Sequence, residues 1–122
     1  MKFRIIAIVL VVLVLVTAIV SLWIQPASVR ITDSSKPAEL KLLPRHSVTT
    51  VTSLHIEARG KIDGAAEITL LLNGQPYRTE RVNGPVKFSW RMDWYSAEAE
   101  LRYTPLTAKH GIITLRYQFA SP

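Results

Sequence analysis

The chain has 122 residues, with fifteen Lys and Arg against nine Asp and Glu and no cysteine. The missing thiols exclude disulfides and thiolate metal sites. The formal charge of +6 is scattered singly rather than in a block, which argues against nucleic acid as a partner.

After Met1–Arg4, a short basic start carrying Lys2 and Arg4, the run 5–24 holds only Thr17 and Ser21 as polar side chains. At ~1.5 Å of rise per residue, twenty residues of helix span roughly 30 Å, the thickness of a bilayer's hydrocarbon core. Val and Ile dominate, yet in lipid only a helix satisfies the backbone within one segment, so a transmembrane helix is expected. Trp23, with its apolar ring and polar N–H, suits the headgroup boundary. Val16-Thr17-Ala18 offers a signal-peptide cleavage site, but the apolar run continues past it, so the segment is read as a retained signal anchor. Lys2 and Arg4 lie closest to the span and favour a cytoplasmic N-terminus with the remainder extracytoplasmic in a single-pass cell-membrane protein; Arg30, Lys36 and Lys41 on the far side oppose this.

Residues 25–47 read as a proline-containing tether, punctuated by Pro26, Pro37 and Pro44, with a turn at Asp33-Ser34-Ser35. Fully extended it would reach on the order of 75 Å. Val29-Arg30-Ile31 and Leu40-Lys41-Leu42 are short apolar pieces able to add strands at a sheet edge.

From 48 to 120 the period becomes two, the mark of β structure. Leu54, Ile56 and Ala58 share one face against Ser53, His55, Glu57 and Arg59, and Gly60–Gly64 reads as a turn. Ala66, Ile68, Leu70 and Leu72 face inward on the next strand, and Leu71 faces outward. Asn73-Gly74 is a strong type I′ hairpin signal. The strand 77–82, with Pro76 before it and Arg78, Glu80 and Arg81 within it, has the features of a protected edge. A turn at Asn83-Gly84-Pro85 then leads to Val86, Phe88, Trp90, Met92 and Trp94, the main aromatic face. Ala99, Leu101 and Tyr103, and then Ile113, Leu115, Tyr117 and Phe119, complete the alternation. The expected fold is all-β: a small antiparallel six- or seven-stranded sandwich or partly open barrel in meander order, after one N-terminal transmembrane helix.

Arg91, Asp93, Trp94 and Tyr95 form the candidate ligand or partner site, an aromatic tip with hydrogen-bonding groups at its rim. The same residues also have structural roles: Trp94 continues the inward face, Asp93 suits a turn, and Arg91 has Glu98 or Glu100 to pair with. Tyr95 has outward parity and no core partner. Asp93, Glu98 and Glu100 alternate with arginines on a solvated face, and so small a sheet offers no cleft for acid–base chemistry. His46, His55 and His110 lack metal-ligand spacing. Neither a phosphate-binding glycine loop nor a nucleophile elbow is present. The expectation is a non-enzymatic module without cofactor or metal. It would be anchored through residues 5–24 and would bind a protein partner of the cell envelope; a homo-oligomer is compatible with it. The alternatives are glycan or small-ligand binding at the Asp93-Trp94-Tyr95 tip and, third, a small membrane-tethered hydrolase.

Overall fold

The computed structural model describes residues 27–44 and 50–121. Among them the structure is all-β: β1 (Ala27–Ile31), β2 (Ala38–Leu42), β3 (Ser53–Leu72), β4 (Gln75–Asp93), β5 (Ala99–Pro105) and β6 (Gly111–Ala120). No helix among the described residues is long and apolar enough to cross a membrane. The span expected at 5–24 lies outside the described residues.

β3 is the hub, pairing antiparallel with β4 along one edge and sharing its other edge between β6 (against Ser53–Ile62) and β5 (against Ala66–Leu71). β1 extends the sheet beyond β6, and β2 extends it beyond β5. Two four-stranded halves result, both built on the β3–β4 hairpin, and they close on each other around one core as a sandwich-like, nearly closed barrel.

Three sequence expectations are corrected here. The strands do not run as a meander: among consecutive strands only β3 and β4 pair, and the other contacts of β3 skip along the chain. Gly60–Gly64 is not a turn, because the ladder to β6 continues through Ile62, which is buried. Gly60 is there for close approach instead; a Cβ at this position would lie 2.1 Å from the Ile112 carbonyl oxygen. Asn83-Gly84-Pro85 likewise stays within β4, although Gly84 has φ +72°.

The register explains what those segments do. Between the Lys61–Pro85 and Ala65–Asn83 pairs, β3 has three residues where β4 has one. An excess on one strand bends the ladder there, so one long hairpin serves both halves. Four of the six expected strands thus become two long ones, and β1 and β2 restore the number. Both come from the segment read as a tether, at the two apolar pieces singled out as edge strands.

The loop before β6 is locked into this bend. The Ala65 carbonyl accepts from the N–H groups of Leu106, Thr107 and Ala108, and Thr107 Oγ1 accepts from the Ala65 N–H at 2.7 Å. Asp63 Oδ1 accepts from the backbone N–H groups of Lys109 and His110, and Oδ2 lies 2.8 Å from His110 Nδ1. These bonds, the backbone ones first, hold the Asp63 carboxyl well below the usual carboxylate range. Gly111, at φ +123°, sits where a Cβ would meet the Lys61 carbonyl oxygen.

The parity of the sequence is otherwise kept. Leu54, Ile56, Ala58, Ile68, Leu70, Leu101, Ile113 and Leu115 are fully buried, and Trp90 is their largest companion. Leu71 departs from expectation. It is buried although it lies on the side of β3 away from the core cluster, beside the register shift at Leu70/Leu71. Asn73 and Gly74 have φ of 51° and 77°, as a type I′ turn requires.

Candidate partner-binding surfaces

The four residues singled out at the end of β4 divide into one buried side chain and three exposed ones. Trp94 is 2% exposed. Its Nε1 donates to the Glu98 carbonyl at 3.1 Å, its backbone N–H donates to Thr52, and its ring meets Tyr77 edge-on at 5.6 Å. It is therefore a staple between the two halves of β4 and no open plate for a ligand. Tyr95 is 78% exposed, and Arg91 and Asp93 are exposed beside it. Arg91 stands opposite His55 on β3, because β4 and β5 do not pair and Glu98 and Glu100 lie elsewhere. Glu98 and Glu100 instead border a small cavity with Lys41, Leu71 and Trp94, which Asp93 does not line.

The histidines are also accounted for. His55 Nε2 lies 2.8 Å from Ser89 Oγ, and His110 pairs with Asp63; His46 is outside the described residues. Among the described residues no three His, Asp or Glu side chains form a group able to hold a metal ion.

Two surfaces were missed by sequence reasoning, because both depend on which strands are neighbours. The first is the edge of β4. Over Gln75–Asp93 this strand pairs only with β3, leaving its other edge without a strand partner among the described residues. Its two halves are pinned across the bend by the Tyr77–Trp94 contact and by Arg78, whose guanidinium lies 5.2 Å from the Trp90 ring centroid. The sequence marked 77–82 as an edge; that the aromatic-rich half is the same edge was hidden by the false turn at Asn83.

The second is a charge asymmetry between the two outer faces. On the β2–β5–β3–β4 half, opposite charges stand directly across from each other: Glu39 from Arg102, Lys41 from Glu100, and Glu67 from Arg81. The outer face of the β1–β6–β3–β4 half carries Arg30, Arg59, Lys61, Lys87, Arg91 and Arg116, all exposed, against Glu57 and Asp93. Glu57 is bound to Arg59 at 2.8 Å, which holds its carboxyl below the ordinary range. Arg59 also stands directly opposite Lys87, a like-charge cross-strand pair that costs stability. Glu57, Arg59, Gly60, Thr114 and Arg116 line a shallow depression in this face.

No family model matches the chain, and no curated protein is similar to it. Solved structures do resemble it. PirA superposes at a TM-score of 0.52 with 11% identity, over 77% of this chain and 94% of PirA. A de novo designed double-stranded β-helix matches at 0.40 with 18% identity, over 77% of this chain and 99% of the design. The C-terminal domain of EclA, a sugar-binding protein, matches at 0.44 with 14% identity, over 76% of this chain and 78% of that one. Carbohydrate-binding modules are among the further matches. At 11% identity the likeness to PirA speaks to the fold alone.

Proposed function

We propose that this chain is a non-catalytic binding module, held at a membrane by residues 5–24 and exposed on the extracytoplasmic side, which engages a protein partner of the cell envelope along β4. The observation that carries the reading is the edge of β4 over Gln75–Asp93, which has no strand partner among the described residues. Such an edge offers a row of backbone donors and acceptors to an added strand, while its side chains select the partner. Tyr77 and Tyr95, both largely exposed near the ends of the strand, supply amphipathic rings of the kind enriched in binding hot spots. Pro76 and Pro85, which have no N–H to give, interrupt the edge and limit indiscriminate pairing.

The test is site-specific photocrosslinking in intact cells, with the reactive side chain placed in turn at Tyr77, Thr79, Arg81 and Tyr95 on the full chain. One discrete adduct from the β4 positions, lost on Thr79→Pro in a variant that keeps its β-sheet circular dichroism, is the expected outcome. Silence at every β4 position removes the edge as the binding element.

A second reading keeps the tip as a ligand site, because Tyr95 presents its ring to solvent with Arg91 and Asp93 exposed nearby. Without Trp94 the site has one aromatic plate. Tyr95→Ala should then abolish retention on whichever immobilised glycan holds the parent chain; unchanged retention ends this reading.

A further inference from the structure

We infer that the basic outer face of β1, β6, β3 and β4 lies against the anionic headgroups of the membrane that residues 5–24 enter. This rests on the anchor in the proposed function but is independent of what β4 binds.

Two observations converge on it. The first is chain length. β1 begins at Ala27, so only Gln25 and Pro26 separate it from the end of the apolar run at Ile24. Three residue steps, even fully extended, reach about 10 Å. Of the segment read as a long tether, residues 27–42 are taken up by β1, β2 and the loop between them, and the domain therefore stands at the bilayer surface. Among the described residues β1 is also the outermost strand of the basic half, paired only with β6. The half nearest the lipid is thus the one with the charge excess.

The second is the charge pattern. Arg30, Arg59, Lys61, Lys87, Arg91 and Arg116 share a face on which Arg59 and Lys87 oppose each other directly. On the outer face of the other half Glu39, Glu67 and Glu100 stand across from Arg102, Arg81 and Lys41, whereas on this face only Glu57 meets an opposite charge across the strands, at Arg116. An arrangement that lowers stability and concentrates positive charge suits a surface that supplies the counter-charge. Each Lys or Arg near an anionic leaflet is attracted to it, and the attraction fades within a Debye length of about 8 Å at physiological salt. A tether of 75 Å would have diluted the effect; a two-residue link keeps the face within range.

The chain lacks cysteine, so a single introduced thiol can be labelled cleanly. The full chain is reconstituted in lipid nanodiscs of zwitterionic lipid, with or without a substantial anionic fraction. A fluorophore is attached at Gln118→Cys, exposed on the basic face, or at Thr79→Cys, exposed on the opposite one. Facing sheets pack about 10 Å apart, so a headgroup-attached quencher distinguishes the two outer faces. In anionic discs at low salt, quenching at Gln118→Cys should exceed that at Thr79→Cys several-fold. The excess should collapse in high salt and in the Arg30→Glu and Lys87→Glu double variant. That variant should keep a thermal midpoint no lower than the parent's, since Lys87→Glu gives Arg59 an opposite charge; a structural role for Lys87 would instead lower it. Equal quenching of both labels, or an excess that survives charge reversal, overturns the inference. Loss of the chain from neutral discs under alkaline carbonate is a separate result, and it would refute the anchor itself.

Discussion

Trp90→Ala is the most direct probe of how this core is built. Trp90 is 1% exposed, lies 4.9 Å from the Phe88 ring centroid, and carries Arg78 over its ring. A buried aromatic of this class removes some 150–250 Å² from water. At about 25 cal/mol per Å² that is roughly 4–6 kcal/mol. The alanine methyl and a compact unfolded state take back about a quarter of it. Loss of the cation–π contact to a partly exposed arginine adds about 0.5–1 kcal/mol. The expected cost is thus about 3–5 kcal/mol, within the usual range for deleting a buried Trp. A domain of this size has about 5–10 kcal/mol in all, so the variant should be folded but marginal. Urea unfolding of the full chain in mild detergent, followed by far-ultraviolet circular dichroism, reads the change as a fall in midpoint at constant slope. Tyr95→Ala is the internal control. With that ring 78% exposed, it should cost under about 1 kcal/mol. Equal losses at the two positions would refute the assigned parity of β4 and with it the placement of the core.

Gly60→Ala and Gly74→Ala should separate close approach from backbone conformation. The first sets a methyl against the backbone of Ile112 and Ile113 and should cost about 3 kcal/mol or more by denaturant unfolding. The second meets nothing within 4 Å but stays at φ +77°, for about 1 kcal/mol. Tyr103→Phe removes the hydroxyl that donates to the buried Ser34 carbonyl at 2.8 Å and should cost about 1–2 kcal/mol in the same assay. Asp63 is depressed in the folded state by the N–H groups of His110 and Lys109, so its contribution is present above the ordinary pKa near 3.8 and lost as pH falls below it. Thermal midpoints should therefore drop between about pH 5 and pH 2 in the parent and drop less in Asp63→Asn; parallel curves would deny Asp63 that role. Lys87→Glu turns a like-charge pair into an opposite one and should raise stability by about 0.2–1 kcal/mol, scored by urea midpoint.

Side-chain parity was legible in the sequence because the pleat imposes it locally. Ile56, Trp90, Leu101 and Ile113 fall inside wherever their strands are placed, since residues two apart share a face. The Asn73-Gly74 hairpin was legible for a similar reason, positive φ at two successive residues being a local demand. Strand partnership was not legible. Whether Gly60 turns the chain or lets Ile112 approach depends on a strand some fifty residues later, and glycine serves both purposes. The same ambiguity at Gly84 split β4 in two and hid the continuity of its edge. At the tip, alternation correctly turned Tyr95 outward and Trp94 inward, but the Tyr77 ring that covers Trp94 comes from across the bend. The basic face was harder still: Arg30, Lys87 and Arg116 are remote in sequence, and only the β1–β6–β3–β4 order makes them neighbours.

The bend in the β3–β4 hairpin connects these observations. A short chain without disulfides has little to hold two small sheets together. Here the halves need no separate interface, since β3 and β4 run through both and Arg78 and Tyr77 reach across to Trp90 and Trp94. Asp63, Ala65, Thr107 and Gly111 then lock the loop before β6 against the inside of the bend. Cohesion concentrated there leaves the outer faces and the β4 edge with few structural duties. That is why one outer face can carry a like-charge pair at all, and why β4, nineteen residues long, can keep one edge without a strand partner among the described residues. The consequence is testable as a separation of effects. Substitutions at the bend should lower stability and disturb both surfaces together, whereas substitutions on the basic face or the β4 edge should change binding and shift stability by no more than about 1 kcal/mol, upward for Lys87→Glu.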